Sequence, residues 1–401
     1  MKTKPKTFFF MPYIPYPVDR GTYQRVYHLF VETSKAFDID LVCLQEEAGR
    51  DMSPFEPFTN RRLAIPFKNP PWKRLFPARI LEPLPATVVH WKSPDVLDAL
   101  KHFVGEIKYE YVVFIDLVLW PYIKELFPKH PKLIMDRSRV DWLFQTEELK
   151  TLSLSLKDRV LRRENLLKIA RLEKQVYKQL SGMIVCGWDD KTFLNKRLGD
   201  SSKVFVLPNG YNETYFNYQL HQRSLTKYPS VLFCGALDYS PNVDAINWFA
   251  KDIWPRIRKK EPHAVWTIIG KSPGEDLGYL KRMDGVEFVG EVPDVRPYYQ
   301  SRWVQVVPLR IGGGTRLKIV ESLGMKCPVV STSLGAQGLN LSHQKDIILA
   351  DTEEAFAQEI LRLLNSPEVR NRLEINGLNT VLNEYRWEQL GNQLNQYIHS
   401  L

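Results

Sequence analysis

Apolar positions along this chain follow two alternating periods. Short unbroken runs, such as Val231-Leu232-Phe233-Cys234 and Pro328-Val329-Val330, have the length and β-branched content of buried strands. Between them, apolar residues recur at three- and four-residue steps. From Val243 to about Lys260 the series Ile246, Phe249, Ala250, Ile253 and Ile257 predicts one helix. Further strands are expected at Ala264–Ile269, Val286–Val289, Trp303–Leu309 and Asp346–Ala350, and further helices at Val295–Gln300, Thr315 to about Met325, and Glu353–Leu364. The first half repeats the alternation. Strands are expected at Thr7–Ile14, Ile39–Leu44, Tyr111–Asp116, Leu133–Asp136, Met183–Cys186 and Val204–Leu207, with helices at Tyr23–Phe37, Pro94–Val104 and Leu161–Leu180. Strand–helix alternation with short loops predicts an α/β protein of parallel sheets wound with helices on both faces. The stretch 49–88 is rich in Pro, Arg and aromatic residues and fits neither period, so it reads as an excursion or lid.

A chain of 401 residues exceeds one ordinary core, and Pro208-Asn209-Gly210 supplies turn chemistry between two doubly wound halves. The expected division is 1–207, 208–385 and a terminal segment 386–401. In that segment Leu390, Leu394 and Ile398 lie at four-residue steps. This suits either a helix crossing the domain junction or a cap on the second domain.

No apolar run approaches the roughly 18 residues a membrane span needs. The apolar Phe8-Phe9-Phe10-Met11 ends at Pro12 without a small-residue cleavage site, so it reads as a first strand and not a signal peptide. Four cysteines sit in or beside strand-like runs, and none forms a CxxC. Buried free thiols in a reducing, cytoplasmic compartment follow. The net charge of +9 is unevenly placed. Residues 1–205 carry 34 Lys and Arg against 25 Asp and Glu, whereas residues 206–401 carry 21 of each. The basic half could face anionic lipid, a phosphorylated acceptor or nucleic acid, or simply be a solvated surface.

The most specific chemistry lies at Val306-Val307-Pro308-Leu309-Arg310-Ile311-Gly312-Gly313-Gly314-Thr315-Arg316-Leu317-Lys318, with Glu321 beyond. A strand runs through three glycines into a helix. Glycine lets a ligand approach the backbone, and the first amides of a helix favour an anion. Arg316 and Lys318 in the first turn oppose the helix dipole unless a strong anion, such as a diphosphate, occupies the site. Glu321 could accept hydrogen bonds from sugar or ribose hydroxyls. A tight strand–helix turn with solvated cations is the plain alternative. The pattern is neither a Walker loop nor a clean GxGxxG fingerprint.

Residues 231–340 resemble the C-terminal domain of the retaining glycosyltransferase family 4. The resemblance rests on Phe233-Cys234-Gly235-Ala236-Leu237, Ser240-Pro241-Asn242, Phe288-Val289-Gly290-Glu291-Val292, the Gly312–Lys318 run with Glu321, and Gly335-Ala336-Gln337-Gly338-Leu339. Arg20-Gly21, Ser93-Pro94-Asp95 and Asp136 extend it loosely into the first half. It implies the GT-B fold: two Rossmann-like domains facing a central cleft, with a C-terminal helix crossing back. The implied activity is transfer of a sugar from a nucleoside-diphosphate sugar to an acceptor hydroxyl on a glycan, polysaccharide or lipid-linked molecule, with retention and without a metal. The nucleotide sugar is a co-substrate and no cofactor is implied. The resemblance assigns Arg316, Lys318 and Asp136 to catalysis. Donor binding falls to Gly21, Gly235, Val292, Gly312, Gly313, Gly314, Thr315, Arg316, Lys318 and Glu321.

Two departures stand out. Glu321 matches the second glutamate of the family's E-x7-E motif, but Gly313 stands where the first would be. The cations that many relatives place after the first strand of this domain are also absent from Asp238–Val243. A non-catalytic sugar-nucleotide-binding subunit and a nucleotide-sugar epimerase therefore remain open readings. A nucleic-acid-modifying transferase is disfavoured, because no aromatic-interleaved basic stretch is present. Contact with an anionic membrane through the basic half is a further expectation.

Overall fold

The computed structural model describes residues 4–18, 21–46, 49–68, 81–128, 131–151, 155–219, 224–271, 277–311 and 316–401. The chain divides into two compact units. Unit 1 joins Met1–Leu207 to Trp387–Leu401, and unit 2 spans Pro208–Arg386.

Unit 1 carries a seven-stranded parallel sheet in the order β3-β2-β1-β4-β5-β6-β7. Its strands are β1 Lys6–Met11, β2 Asp38–Gln45, β3 Arg61–Pro66, β4 Tyr111–Ile115, β5 Lys132–Asp136, β6 Gly182–Val185 and β7 Val204–Val206. Successive side chains on each strand enter opposite apolar layers. Phe8, Phe10, Val112, Phe114 and Met135 pack on one face, where Ile169, Leu172 and Val176 of α2 (Leu156–Gln179) cover them. Phe9, Met11, Val113, Ile115 and Ile134 pack on the other, under Val26, Leu29 and Phe30 of α1 (Gly21–Ser34). Burial of both faces explains why these strands read as continuous apolar runs.

The C-terminal helix Trp387–Ser400 belongs to unit 1, which decides between the two sequence readings of that segment. Its Leu390, Leu394 and Ile398 join the layer of α1, and Asn395 donates to the carbonyl of Glu32 at 3.0 Å. A Cβ on Gly391 would lie 2.2 Å from the Glu32 Cβ, so this helix crosses α1 at a distance only glycine permits.

Unit 2 carries a six-stranded parallel sheet in the order β10-β9-β8-β11-β12-β13. The strands are β8 Ser230–Cys234, β9 Val265–Ile269, β10 Val286–Gly290, β11 Val304–Val307, β12 Val329–Ser331 and β13 Ile348–Leu349. Two helices bear on the site: α3, Ser240–Trp248, after β8, and α4, Leu317–Gly324, after β11. Each unit is a parallel sheet of the doubly wound, Rossmann-like kind.

Several expectations need correction. Arg61–Pro66 lies inside the stretch read as irregular, yet it forms edge strand β3, paired in parallel with β2. An edge strand is half exposed, and its RRLAIP pattern hides the apolar period. Of the rest of that stretch, residues 69–80 lie outside the described residues. The single helix expected from Val243 to Lys260 is broken by a π-turn at Phe249–Ile253 before Trp254–Lys260. Pro255 accounts for the break: it has no amide to donate, and its ring crowds the preceding turn. The helix expected from Thr315 begins at Leu317, with Arg316 in extended conformation as its N-cap.

Candidate functional site

In an open parallel sheet, ligands sit outside the carboxyl ends of the strands where the strand order reverses. In unit 2 that reversal lies between β8 and β11. The loop after β8 leads into α3, and the loop after β11 leads into α4. The two motifs singled out in the sequence, around Gly235 and around Lys318, are therefore neighbours in space.

Their contact is direct. Lys318 Nζ donates to Asn242 Oδ1 at 2.8 Å and lies 4.7 Å from the centre of the Phe233 ring. Asn242 is fixed in turn by Nδ2, which donates to the Ala236 carbonyl at 2.7 Å. A Cβ on Gly235 would come within 2.5 Å of Lys318 Nζ and 2.9 Å of Asn242 Nδ2, so the glycine makes room for both. Behind it, a Cβ on Gly270 would lie 1.8 Å from the Gly235 carbonyl oxygen. Three loop ends thus meet within van der Waals distance. On the outer side Arg310 Nη2 reaches Asp244 Oδ1 at 2.7 Å, tying the β11 loop to α3.

The electrostatics are unusual for a lysine. Burial pushes Lys318 down to about 8, and the charge of Arg316 works in the same direction, against Cys234 and Glu321. A half-desolvated ammonium beside a second cation is held at a cost that a bound anion would relieve. Glu321, one turn further along α4, accepts from the buried Tyr299 hydroxyl at 3.5 Å. Val292 is half-buried against the core, beyond the end of β10.

Gly312, Gly313, Gly314 and Thr315 lie outside the described residues, as does Arg20. One expectation about the helix entrance is narrowed: the Ile319 amide is taken by the Arg316 carbonyl at 3.0 Å. The amides of Leu317 and Lys318 and the two cationic side chains belong to the same entrance.

Unit 1 places Gly21 at the exposed first position of α1. Asp136 ends β5 and is buried. Arg25 of α1, itself without exposure, donates to it through Nη2 at 2.9 Å and through Nη1 to the Leu207 carbonyl at 2.8 Å. This carboxylate anchors α1 to the sheet, which is a positioning task. The carboxyl that sequence reasoning missed is its neighbour Asp116. It follows β4 at the reversal between β1 and β4, and its φ of 65° is a strained conformation outside glycine. Ser138 Oγ donates to it at 3.5 Å and Arg137 Nε lies 3.7 Å away. The buried Tyr13 hydroxyl, just past β1, lies in the same field and has no hydrogen-bond partner among the described residues. The only signal in the sequence was an aspartate closing an apolar run.

Burial raises Asp116 to about 7; Arg137 opposes the rise and Asp141 adds to it. A carboxyl whose native pKa exceeds its unfolded value of roughly 3.9 contributes stability below that pH. The contribution is lost as pH rises through about 7. Asp116→Asn should therefore flatten the fall in stability between pH 5 and pH 8, at up to about 1.4 kcal/mol per pH unit. Chemical denaturation at those two pH values checks this; an unchanged slope means the carboxyl is ionised throughout.

The comparisons with known proteins meet this geometry in unit 2. Residues 228–366 match the family model described as "Glycosyl transferases group 1". Among curated proteins, the chain is 26% identical over 165 residues to the Xenopus tropicalis glycosyltransferase 1 domain-containing protein 1, covering 39% of this chain and 46% of that protein. It is 24% identical over 164 residues to an uncharacterized protein in the cps region of Klebsiella pneumoniae, covering 39% and 42%. The match thus spans less than half the length of these relatives. Solved structures match along the whole chain. Sucrose-phosphate synthase from Thermosynechococcus elongatus has a TM-score of 0.72 at 16% identity, covering 98% of both chains. Anabaena HepE in complex with UDP and glucose has a TM-score of 0.65 at 12% identity, covering 98% of this chain and 99% of that one. At such identities the likeness is one of fold. Among the described residues no helix is long and apolar enough to cross a membrane.

Proposed function

We propose that this chain is a retaining, metal-independent glycosyltransferase. It moves a hexose from a nucleoside-diphosphate sugar held on unit 2 to an acceptor hydroxyl on a glycan or lipid-linked molecule. One observation carries the reading: the Gly235 loop and the entrance of α4 converge on Lys318 at the strand-order reversal of unit 2. This lies within the segment that matches the group 1 model. UDP in the HepE neighbour supports a nucleotide as the ligand class.

In the chemical step the bond from the anomeric carbon to the diphosphate oxygen breaks. The leaving diphosphate gathers negative charge, and stabilising it is the main catalytic task. Lys318, Arg316 and the Leu317 and Lys318 amides serve that role, and the sequence assigns Gly312–Gly314 and Thr315 to the same task. Glu321 accepts from ribose hydroxyls, and the backbone near Val292 borders the base. Unit 1 is the part assigned to the acceptor, with Gly21 and Asp116 at the carboxyl ends of its strands as the groups to test. Asp136 supports this edge through Arg25. The thiols of Cys43, Cys186 and Cys327, which are buried, and of half-buried Cys234 suit work in a reducing cytoplasm.

A thermal-shift panel of UDP-, GDP- and ADP-sugars tests the reading, because ligand binding to the native state raises stability by mass action. One nucleotide class should raise Tm, and Glu321→Ala should shrink that rise by weakening binding about tenfold. Product analysis with the selected donor separates the rivals. An epimerase would release an altered sugar nucleotide without an acceptor, and a binding subunit would turn nothing over. A flat panel sinks the proposal.

A further inference from the structure

Helix α2 does more than cover the sheet. Its inner face, Asn165, Ile169, Leu172, Glu173 and Val176, is buried. The opposite face carries a straight stripe at helical spacing: Leu156, Val160, Arg163, Leu167, Arg171, Lys174 and Lys178. Leu156 is 83% exposed, Val160 57% and Leu167 73%, an unusual concentration of bare aliphatic side chains on one face. The four other stripe residues are cationic and exposed.

No acid interrupts the stripe. Of the three acids in the helix, Asp158 engages Ser155 at the N-cap, Glu164 pairs with Lys168, and Glu173 is buried against Arg137. Eight lysines and arginines over Leu156–Gln179 therefore dominate its outer field.

We infer that this stripe docks on an anionic lipid surface, with Leu156, Val160 and Leu167 entering the acyl boundary while Arg163, Arg171, Lys174 and Lys178 meet the headgroups. Aliphatic residues interleaved with cations along one line are what a helix lying in a membrane interface requires. A solvated basic face has no need of three bare aliphatic residues. Nucleic acid is bound through phosphate contacts that give such side chains nothing to enter. A partner helix would need the apolar seam to continue, whereas here it turns wholly basic after Leu167. The stripe extends over about 33 Å of helix at 1.5 Å per residue, a straight edge suited to a flat surface. Because α2 is already packed on the sheet, it does not have to fold on arrival.

The docking stands apart from the sugar-transfer reading: vesicle binding and donor binding are measured separately, and either can fail alone. The experiment is co-sedimentation of the full chain with phosphatidylcholine vesicles, with and without phosphatidylglycerol. Binding should be at least about tenfold stronger with the anionic lipid and should weaken steeply with salt. The pair Leu156→Ser and Leu167→Ser should weaken it about tenfold. The pair Arg163→Glu and Arg171→Glu should do the same, with donor-induced thermal shift retained in both. Three results overturn the inference: vesicle binding without preference for phosphatidylglycerol; a serine pair that binds as the parent does, leaving only a diffuse charge effect; or a dimer in sedimentation analysis that the serine pair dissociates, making a second copy the occupant.

Discussion

Replacing Arg316 by Ala and Lys318 by Met together should lower affinity for the nucleoside diphosphate by about 100-fold or more, since each removes a charge-assisted contact worth roughly 1.5–3 kcal/mol. Lys318 adds a signature in pH. Its native pKa is pushed down to about 8 by burial. A diphosphate prefers the ammonium, so binding raises that pKa and takes up a proton. Affinity should hold below pH 8 and fall as pH rises through it, and Lys318→Met should lose this dependence. The stability consequence has the opposite sense. The unfolded chain holds this proton more tightly than the native protein, so the charged lysine lowers stability below pH 8, and the loss is recovered as pH rises toward 10. Lys318→Met should therefore unfold no earlier than the parent while binding far more weakly. Calorimetric titration and thermal melts of the same two samples separate a ligand-binding lysine from a structural one.

The second large effect lies in unit 1. Arg137 is fully buried and bonds Glu173 of α2, equally buried, while its Nη2 reaches Asp141 at 3.2 Å. Burial already pushes Glu173 above the usual carboxylate range, with Arg137 pulling it back. Arg137→Met removes the compensation and leaves a carboxylate in an apolar layer, a loss of about 3–5 kcal/mol. The sign in pH follows. Glu173 in the variant has a native pKa further above its unfolded value, so the deficit should be large at pH 8 and shrink toward pH 4 as the carboxyl protonates in both states. Urea denaturation across that range measures it. A deficit independent of pH would show that lost packing, and not the orphaned charge, is responsible.

What could be read in the sequence was whatever a local period or a backbone constraint encodes. Strands such as Tyr111–Ile115, buried on both faces, announce themselves as apolar runs, and the order of strands and helices followed. Gly235 was visible because only glycine fits the close approach of Lys318 and Asn242. Edge strand β3 escaped because Ile65 alone of its six residues is fully buried. The pairing of Lys318 with Asn242 joins positions 76 residues apart, so it emerges only from the sheet order. Asp116 was hidden for a related reason: its environment is assembled from the ends of β1, β4 and β5, and no spacing records it. Asp136 closes a legible strand, but nothing in the sequence links it to its buried partner Arg25, 111 residues away.

The central claim is that the entrance of α4 grips a diphosphate, and the most direct test compares ligands that differ only there. Calorimetric titration of the donor nucleotide chosen by the thermal panel, against its parent nucleoside, isolates the diphosphate contribution. The account expects the diphosphate to bind at least about 100-fold more tightly at pH 7, with proton uptake at pH 8 and above. It also expects that advantage to vanish when Arg316 and Lys318 are both replaced. Equal affinity for nucleoside and diphosphate, or an advantage that survives the double replacement, would contradict it.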